Sequence, residues 1–477
     1  MMQSLPMRSA EAVPNSINEQ HQAQLANQLV TSRSARFSVG LWALMVLIAV
    51  AWYALPTPLL AVALALLPVA IWLMLNWPFG MVLGFVLLSF FRLHELYPPL
   101  MALRLPQLFA LAALVSMAWQ LLVIRKMQIY WNRDFNWLMG FFVLCAIGVL
   151  LASNRSVAMA YFNGVFSKIA LMTIIIAWLL RAPSDFKQAA MAFIIAGSLV
   201  AMVALSNAAA GIEVVEGNRV TIGRSFGSTL GDPNDLALVL LFPLGFTLGW
   251  LLHAQGWSRL VALVALVLLV MAILATQSRG GLLGVMTVVG VFAWRRVKNK
   301  TLLLLVAGVA LMVLFALAGI DQRSSGGAAE QGIDESAMGR IYAWQAAFSM
   351  ALHSPVSGVG LDNFYANYYF YSSHWDGKNH AVHSTWFGIL AETGFVGLAL
   401  FIAVLWRMVT RIISVANIRA QHPATLMVAE SVLAGLLGTV VSGTFLTQGF
   451  TWPFYIFFAL ILALRQSINQ QNSDFAK

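Results

Sequence analysis

Charge is scarce in this chain. Only 10% of its 477 residues are Asp, Glu, Lys or Arg, where an ordinary soluble domain carries about one quarter. Together with a hydrophobic content of 60%, that scarcity excludes a soluble globular protein. Cysteine is scarcer still. The single thiol, Cys145, lies inside an apolar run, so neither a disulfide framework nor a cysteine-rich metal site is available. Cys145 reads as a small buried hydrophobe. A cleavable signal peptide is also not expected: residues 1–36 are polar and Gln-rich, and the first apolar run begins only at Phe37. That arm reads as a cytoplasmic tail. No inverted repeat relates the two halves, which weighs against a transporter or flippase.

What the chain has is long apolar runs, near the roughly 20 residues an α-helix needs to cross about 30 Å of hydrocarbon. Runs of that length mean helices rather than barrel strands. Candidate spans lie near Phe37 to Leu55, Pro58 to Leu75, Phe79 to Leu96, Gln107 to Ile124, Trp137 to Ala152, Met159 to Leu180 and Ala189 to Leu205. Others follow near Leu236 to Leu252, Leu260 to Ala275, Gly281 to Trp294, Leu302 to Gly319, Thr385 to Trp406, Leu426 to Phe445 and Trp452 to Leu464. The expected fold is an all-α polytopic membrane protein of about 12 to 14 transmembrane helices.

The net charge of +10 does not point to nucleic acid, because the basic residues sit in short connectors and form no continuous face. With the amino terminus in the cytoplasm, 18 of the 28 Lys and Arg residues fall on the inner side of alternating spans. That is the positive-inside asymmetry, and it places both termini in the cytoplasm.

The expected division of the chain is 1–36 as the amino-terminal tail, 37–205 as the first group of spans and 206–319 as spans carrying outer arginines. A large outer loop over 320–384, spans over 385–464 and a tail over 465–477 complete it. Outer excursions are where function usually resides. The large loop contains a helix-like run from Met338 to Leu352, a turn-rich stretch from Ser354 to Gly360, and a dense aromatic cluster from Phe364 to Trp375. Those rings suit either sugar stacking or the headgroup layer.

The outer basic residues are informative because topology does not require them there. Arg224, Arg279 and Arg340 each sit at the edge of a span or a loop helix. A guanidinium binds phosphate bidentately and stays charged, so converging arginines suit a diphosphate at the membrane surface. Each alone would read as a snorkelling interfacial side chain. His380 and His383 stand where the large loop re-enters the membrane, and an imidazole can take a proton from a sugar hydroxyl. A zinc site is not expected, since no third ligand is evident. Lys168, Glu392 and Glu430 lie within spans, where ionisable groups are costly; mutual pairing is open to them, and for Glu392 a structural role is expected over catalysis. Asp232 and Asp235, flanking Pro233-Asn234, read first as helix caps.

Four patches in this order resemble the O-antigen ligase and polymerase superfamily of integral membrane glycosyltransferases (Wzy-C-like). They are Arg224-Ser225-Phe226-Gly227 to Asp232-Pro233-Asn234, Ser278-Arg279-Gly280-Gly281, Gly339-Arg340 to Trp344 with Pro355 to Gly360, and His383 to Gly397. The resemblance implies a GT-C-like architecture and a metal-independent, cofactor-free inverting transferase. It would take its glycan from undecaprenyl diphosphate at the periplasmic face of the bacterial inner membrane. It also implies that Arg224 and Arg279 hold the diphosphate and that His383 is the general base; Arg340 is a further candidate for the diphosphate, and His380, Glu392 and Asp232 are candidates for a supporting role. Family members commonly carry Asn after that histidine, where this chain has Ser384, which puts the acceptor in doubt. Lipid A core, a second glycan as in a polymerase, and a protein hydroxyl are the alternatives. Readings of another class are a lipid or polysaccharide transporter and a non-catalytic envelope scaffold.

Overall fold

The computed structural model describes positions 42, 45, 46, 49, 50 and 53, then residues 58–125, 127, 129–317, 335–375, 377–418 and 423–475. The chain divides into two compact units, Met1–Asn76 and Trp77–Lys477. In the first, α1 covers Pro58–Asn76. The expected span Phe37 to Leu55 falls largely outside the described residues.

In the second unit, helices follow one another almost without sheet. They are α2 (Pro78–Ser89), α3 (Leu105–Leu122), α4 (Arg133–Leu151), α5 (Arg155–Tyr161), α6 (Ser167–Leu179), α7 (Pro183–Ala210), α8 (Pro233–His253), α9 (Trp257–Ala275), α10 (Arg279–Arg296) and α11 (Lys300–Leu317). After the large loop begins come α12 (Glu335–His353) and α13 (Phe364–Tyr371), then α14 (Thr385–Ala416), α15 (Pro423–Gly443) and α16 (Trp452–Phe475). The one sheet among the described residues is a two-stranded hairpin, β1 (Val214–Val215) with β2 (Arg219–Val220). Eight described helices are long and apolar enough to cross a membrane. The chain is an all-α polytopic membrane protein.

Several boundaries differ from the hydropathy reading for local reasons. The expected span Phe79 to Leu96 stops at Ser89, because Arg92 takes a left-handed backbone (φ 53°) and the chain turns into a 3₁₀ segment at Leu93–Leu96. The span expected from Met159 begins earlier, at Arg155, where the Asn154 side chain accepts from the Ser156 and Val157 amides. A π-helical turn at Phe162–Phe166 then joins α5 to α6. Helix α14 runs ten residues past the expected Trp406.

The core is built around α8 and α15. A Cβ added at Gly245 of α8 would lie 2.9 Å from the Ser431 carbonyl oxygen of α15, so glycine is what lets the two backbones come this close, the usual means of helix packing in a membrane. Around them aromatic rings interlock; Phe242 meets Phe457 at a centroid distance of 4.4 Å and Phe193 at 5.2 Å. Cys145 is fully buried among these apolar side chains.

One irregularity positions the large loop. Gly394 breaks α14 with φ 69°, and the loop over 354–363 is stitched into the break. The Val359 amide donates to the Ala391 carbonyl (2.8 Å), Gly360 to Glu392 (3.1 Å) and Phe395 to Pro355 (2.8 Å). A Cβ at Gly394 would sit 2.5 Å from the Pro355 oxygen. Both the positive φ and the contact forbid a side chain. Gly394→Ala is therefore expected to destabilise the protein by about 1–3 kcal/mol, measured as a drop in Tm in detergent; an unchanged Tm would mean that the break tolerates a Cβ.

Candidate active site

The candidate site forms around the first turn of α8, where four loops meet. Asp232 caps the helix, its side chain accepting from the Asn234 (2.7 Å) and Asp235 (3.3 Å) amides. Asn234 accepts from Arg219 Nη2 at 2.8 Å. Asp235 accepts from Gln448 Nε2 at 2.7 Å, and the Gln448 amide donates to Thr385 Oγ1 at the start of α14. Two successive polar side chains, Asn234 and Asp235, thus tie the amino terminus of α8 to the hairpin, to the 444–451 loop and, through that loop, to α14.

Arg219 is 2% exposed. Its Nε donates to the Thr276 carbonyl at the end of α9 (3.0 Å), and its Nη1 meets Glu216 at 3.2 Å. It joins the hairpin to the turn ahead of Arg279. Sequence reasoning did not single it out, although a basic residue expected on the outer side was a usable signal.

Arg224 begins a 3₁₀ turn between Gly223 and Gly227, both at positive φ. The Glu213 carboxylate holds this turn from beneath, accepting from the Arg224 amide (2.8 Å) and the Ser225 hydroxyl (3.2 Å). Arg224 Nη1 donates to the Gly231 carbonyl at 3.1 Å, immediately before the Asp232 cap, while the residue itself stays exposed. Farther along, Ser228 donates to Glu95, a buried carboxylate that also pairs with Arg92. Glu95 lies more than a hundred residues away in sequence and was not a candidate.

Arg279 is the first residue of α10 and is half-buried. Ser278 caps this helix through the Gly281 amide (3.2 Å). Gly281 packs against Ala237 of α8, since a Cβ there would lie 2.7 Å from the Ala237 Cβ. The amino termini of α8 and α10 are therefore neighbours.

His383 stands just before α14 with a left-handed backbone, φ 44°. Its flanks are fixed. The Trp344 indole donates to the Val382 carbonyl (3.0 Å) and stacks on Phe387 at 5.2 Å; Ser384, 1% exposed, caps α14 by accepting from the Phe387 amide. The imidazole is held below the usual histidine range. Burial is the largest cause, Arg340 of α12 and His380 add to it, and Asp232 opposes. Arg340, Asp232 and His380 are thus the charged or titratable groups that bear on this ring electrostatically. The His380 ring packs edge-on against Tyr368 at 5.4 Å.

Glu392 is placed elsewhere. It lies within α14 and accepts from the Asp362 (3.0 Å) and Phe364 (3.5 Å) amides, anchoring the turn ahead of α13. Glu430 does not meet Glu392 or Lys168 but pairs with Arg295 (3.1 Å) and Arg296 (2.7 Å). The aromatic cluster splits by face: Phe364 and Tyr368 are buried against α12, whereas Tyr365, Tyr369 and Phe370 are more than half exposed.

Residues 264–402 match the family model described as O-Antigen ligase. The match supports the O-antigen ligase superfamily. It spans Arg279, Arg340 and His383, while Arg224 and Asp232 precede it. No curated protein matches the chain. The family supports a membrane glycosyltransferase-like role, as a ligase or polymerase working on lipid-linked glycans.

The electrostatics of His383 give a direct test. Asn caps a helix as well as Asp does, so Asp232→Asn removes the charge and keeps the cap. NMR titration of the His383 ring should show its pKa falling further in Asp232→Asn and rising in Arg340→Gln. Movement of either in the opposite direction would break the proposed grouping.

Proposed function

We propose that this chain is a metal-independent, inverting glycosyltransferase. It moves a glycan from undecaprenyl diphosphate onto an acceptor hydroxyl at the periplasmic face of the inner membrane, with both termini in the cytoplasm. The observation that carries this reading is that the first turn of α8, capped by Asp232, is tied through Gln448 to Thr385, two residues after His383, and lies beside the turn that bears Arg224 and the helix start that bears Arg279.

His383 takes the proton of the acceptor hydroxyl as its oxygen attacks the anomeric carbon. The bond from that carbon to the diphosphate oxygen breaks, and undecaprenyl diphosphate leaves with the electron pair. Negative charge develops on the leaving group. Fixed guanidinium groups at Arg224, Arg279 and Arg340 stabilise it more in the transition state than in the ground state. A lowered histidine pKa suits this role, because the ring is neutral at pH 7 and ready to accept a proton. The sign is definite: the basic form is complete above its pKa and is lost as pH falls through it, so activity has an acid limb below the usual histidine range.

Ser384 bears on the acceptor. As the buried cap of α14, it does what Asn does at a helix start, so the change is compatible with the same backbone. Lipid A core, a second glycan and a protein hydroxyl remain the acceptors to test, and the exposed rings of Tyr365, Tyr369 and Phe370 are suited to an extended sugar or to the headgroup layer.

Purified protein given an undecaprenyl diphosphate glycan and each acceptor in parallel should form product with one of them. His383→Ala is expected to reduce turnover by roughly 100-fold or more; undiminished transfer at normal protein levels would end the catalytic reading and leave a transporter or scaffold. Arg224→Lys keeps the charge but loses the bidentate fork, so a large loss is expected there also. Activity should survive EDTA, and loss by chelation with recovery on adding a divalent cation would overturn metal independence.

A further inference from the structure

At the far end of α14 from His383, three arginines converge on one carboxylate. Asp134, in the first turn of α4, has a side chain only 1% exposed. Arg407 reaches its Oδ1 through Nε (3.0 Å) and Nη2 (2.5 Å), Arg411 reaches Oδ2 through Nε (3.1 Å), and Arg465 of α16 closes on Oδ2. Among the described residues, every ion pair of these arginines is to this carboxylate. Three positive charges against one negative leave a local excess of +2. The guanidinium-bearing side chains are 25%, 35% and 33% exposed, so the cluster is buried on the Asp134 side and open on the other.

Its depth is marked independently by tryptophan. The Arg407 guanidinium lies 5.6 Å from the centre of the Trp137 ring, and Trp137, Trp406 and Trp131 are all substantially exposed at this end of the bundle. Exposed tryptophans of a membrane protein concentrate at the headgroup level. An excess of arginine charge between helices at that level is a site for an anion carried by a lipid. The Glu430 cluster is the useful contrast: its two arginines spend further donors on Asn417, the Ala416 carbonyl and the Phe292 carbonyl, so its cations are engaged within the protein.

We propose that Arg407, Arg411 and Arg465, organised by Asp134, form a binding site for the phosphodiester headgroup of an anionic phospholipid on the membrane face opposite His383. Asp134 orients the guanidinium groups and keeps them from repelling one another. The phosphate supplies the negative charge that the cluster lacks, through charge-assisted hydrogen bonds.

The test is native mass spectrometry of the full chain in detergent, titrated with phosphatidylglycerol or phosphatidylethanolamine, alongside a thermal-shift series with inorganic phosphate alone. The wild type should retain the anionic lipid about tenfold better than the zwitterionic one. Arg411→Gln and Arg465→Gln each leave two arginines on Asp134 and should lose that preference, while Arg259→Gln, on the exposed start of α9, should keep it. A photoactivatable phosphatidylglycerol should crosslink near Trp137 or Trp406, a readout that needs no variant. Equal retention of both lipids, an unchanged preference in both cluster variants, or crosslinks confined to other segments would overturn the site. Stabilisation by inorganic phosphate equal to that by lipid would overturn the lipid assignment in favour of a soluble anion.

Discussion

The candidate site depends on the amino terminus of α8. A helix start leaves amides unsatisfied and carries partial positive charge, and here Asp232 answers both needs. The two polar residues that follow the proline face outward to other elements: Asn234 receives Arg219 and Asp235 receives Gln448. Through Arg219 the same turn reaches Thr276, and so the approach to Arg279; through Gln448 it reaches Thr385, directly after His383 and Ser384. The capped turn thus holds loops whose own backbones are irregular. Loss of that cap would release several loops at once, which is why the charge and the capping ability of Asp232 have to be separated experimentally.

The second constraint is the break in α14. A continuous helix would keep its carbonyls engaged within itself and shielded from a loop amide. At Gly394 the helix opens, and the Ala391 and Glu392 carbonyls take amides from the Val359-Gly360 turn. Non-helical backbone near membrane depth is tolerated where such bonds satisfy it. The Glu392 carboxylate finishes the job by accepting from the Asp362 and Phe364 amides. A carboxylate in an apolar span signals function by default; here its bonds make it an anchor for the helix that backs Tyr368 and, through that ring, His380.

How much of this was legible depended on range in sequence. Helical spans are local, and their apolar runs matched most observed helices to within a few residues. Arg224, Arg279 and Arg340 stood out because topology gives no reason for charge at those places, and His383 because it stands where the large loop re-enters an apolar run. Glu95, Glu213 and Arg219 did not, because what makes them matter is a partner: Ser228 for Glu95, the Arg224 amide for Glu213, and Thr276 with Asn234 for Arg219. Asp134 was silent for the same reason, its three arginines lying more than 270 residues downstream. The short end of the Phe79 span was a different failure. Hydropathy averages over a window, while the turn at Arg92 is set by one residue's left-handed backbone.

His383 joins these two constraints. A non-glycine residue at φ 44° carries strain of about 1 kcal/mol or more, and such strain persists only where neighbours over-determine it. Val382 is pinned on one side by the Trp344 indole, Ser384 on the other by its cap on α14, and Thr385 beyond it by the Leu446 carbonyl. The loop is therefore held by the residues that flank His383 rather than by its imidazole. Burial first, and the Arg340 charge after it, hold the ring below the usual histidine range, and Asp232 opposes them. The Asp232 carboxylate that caps α8 thus also bears on the electrostatics of the His383 ring.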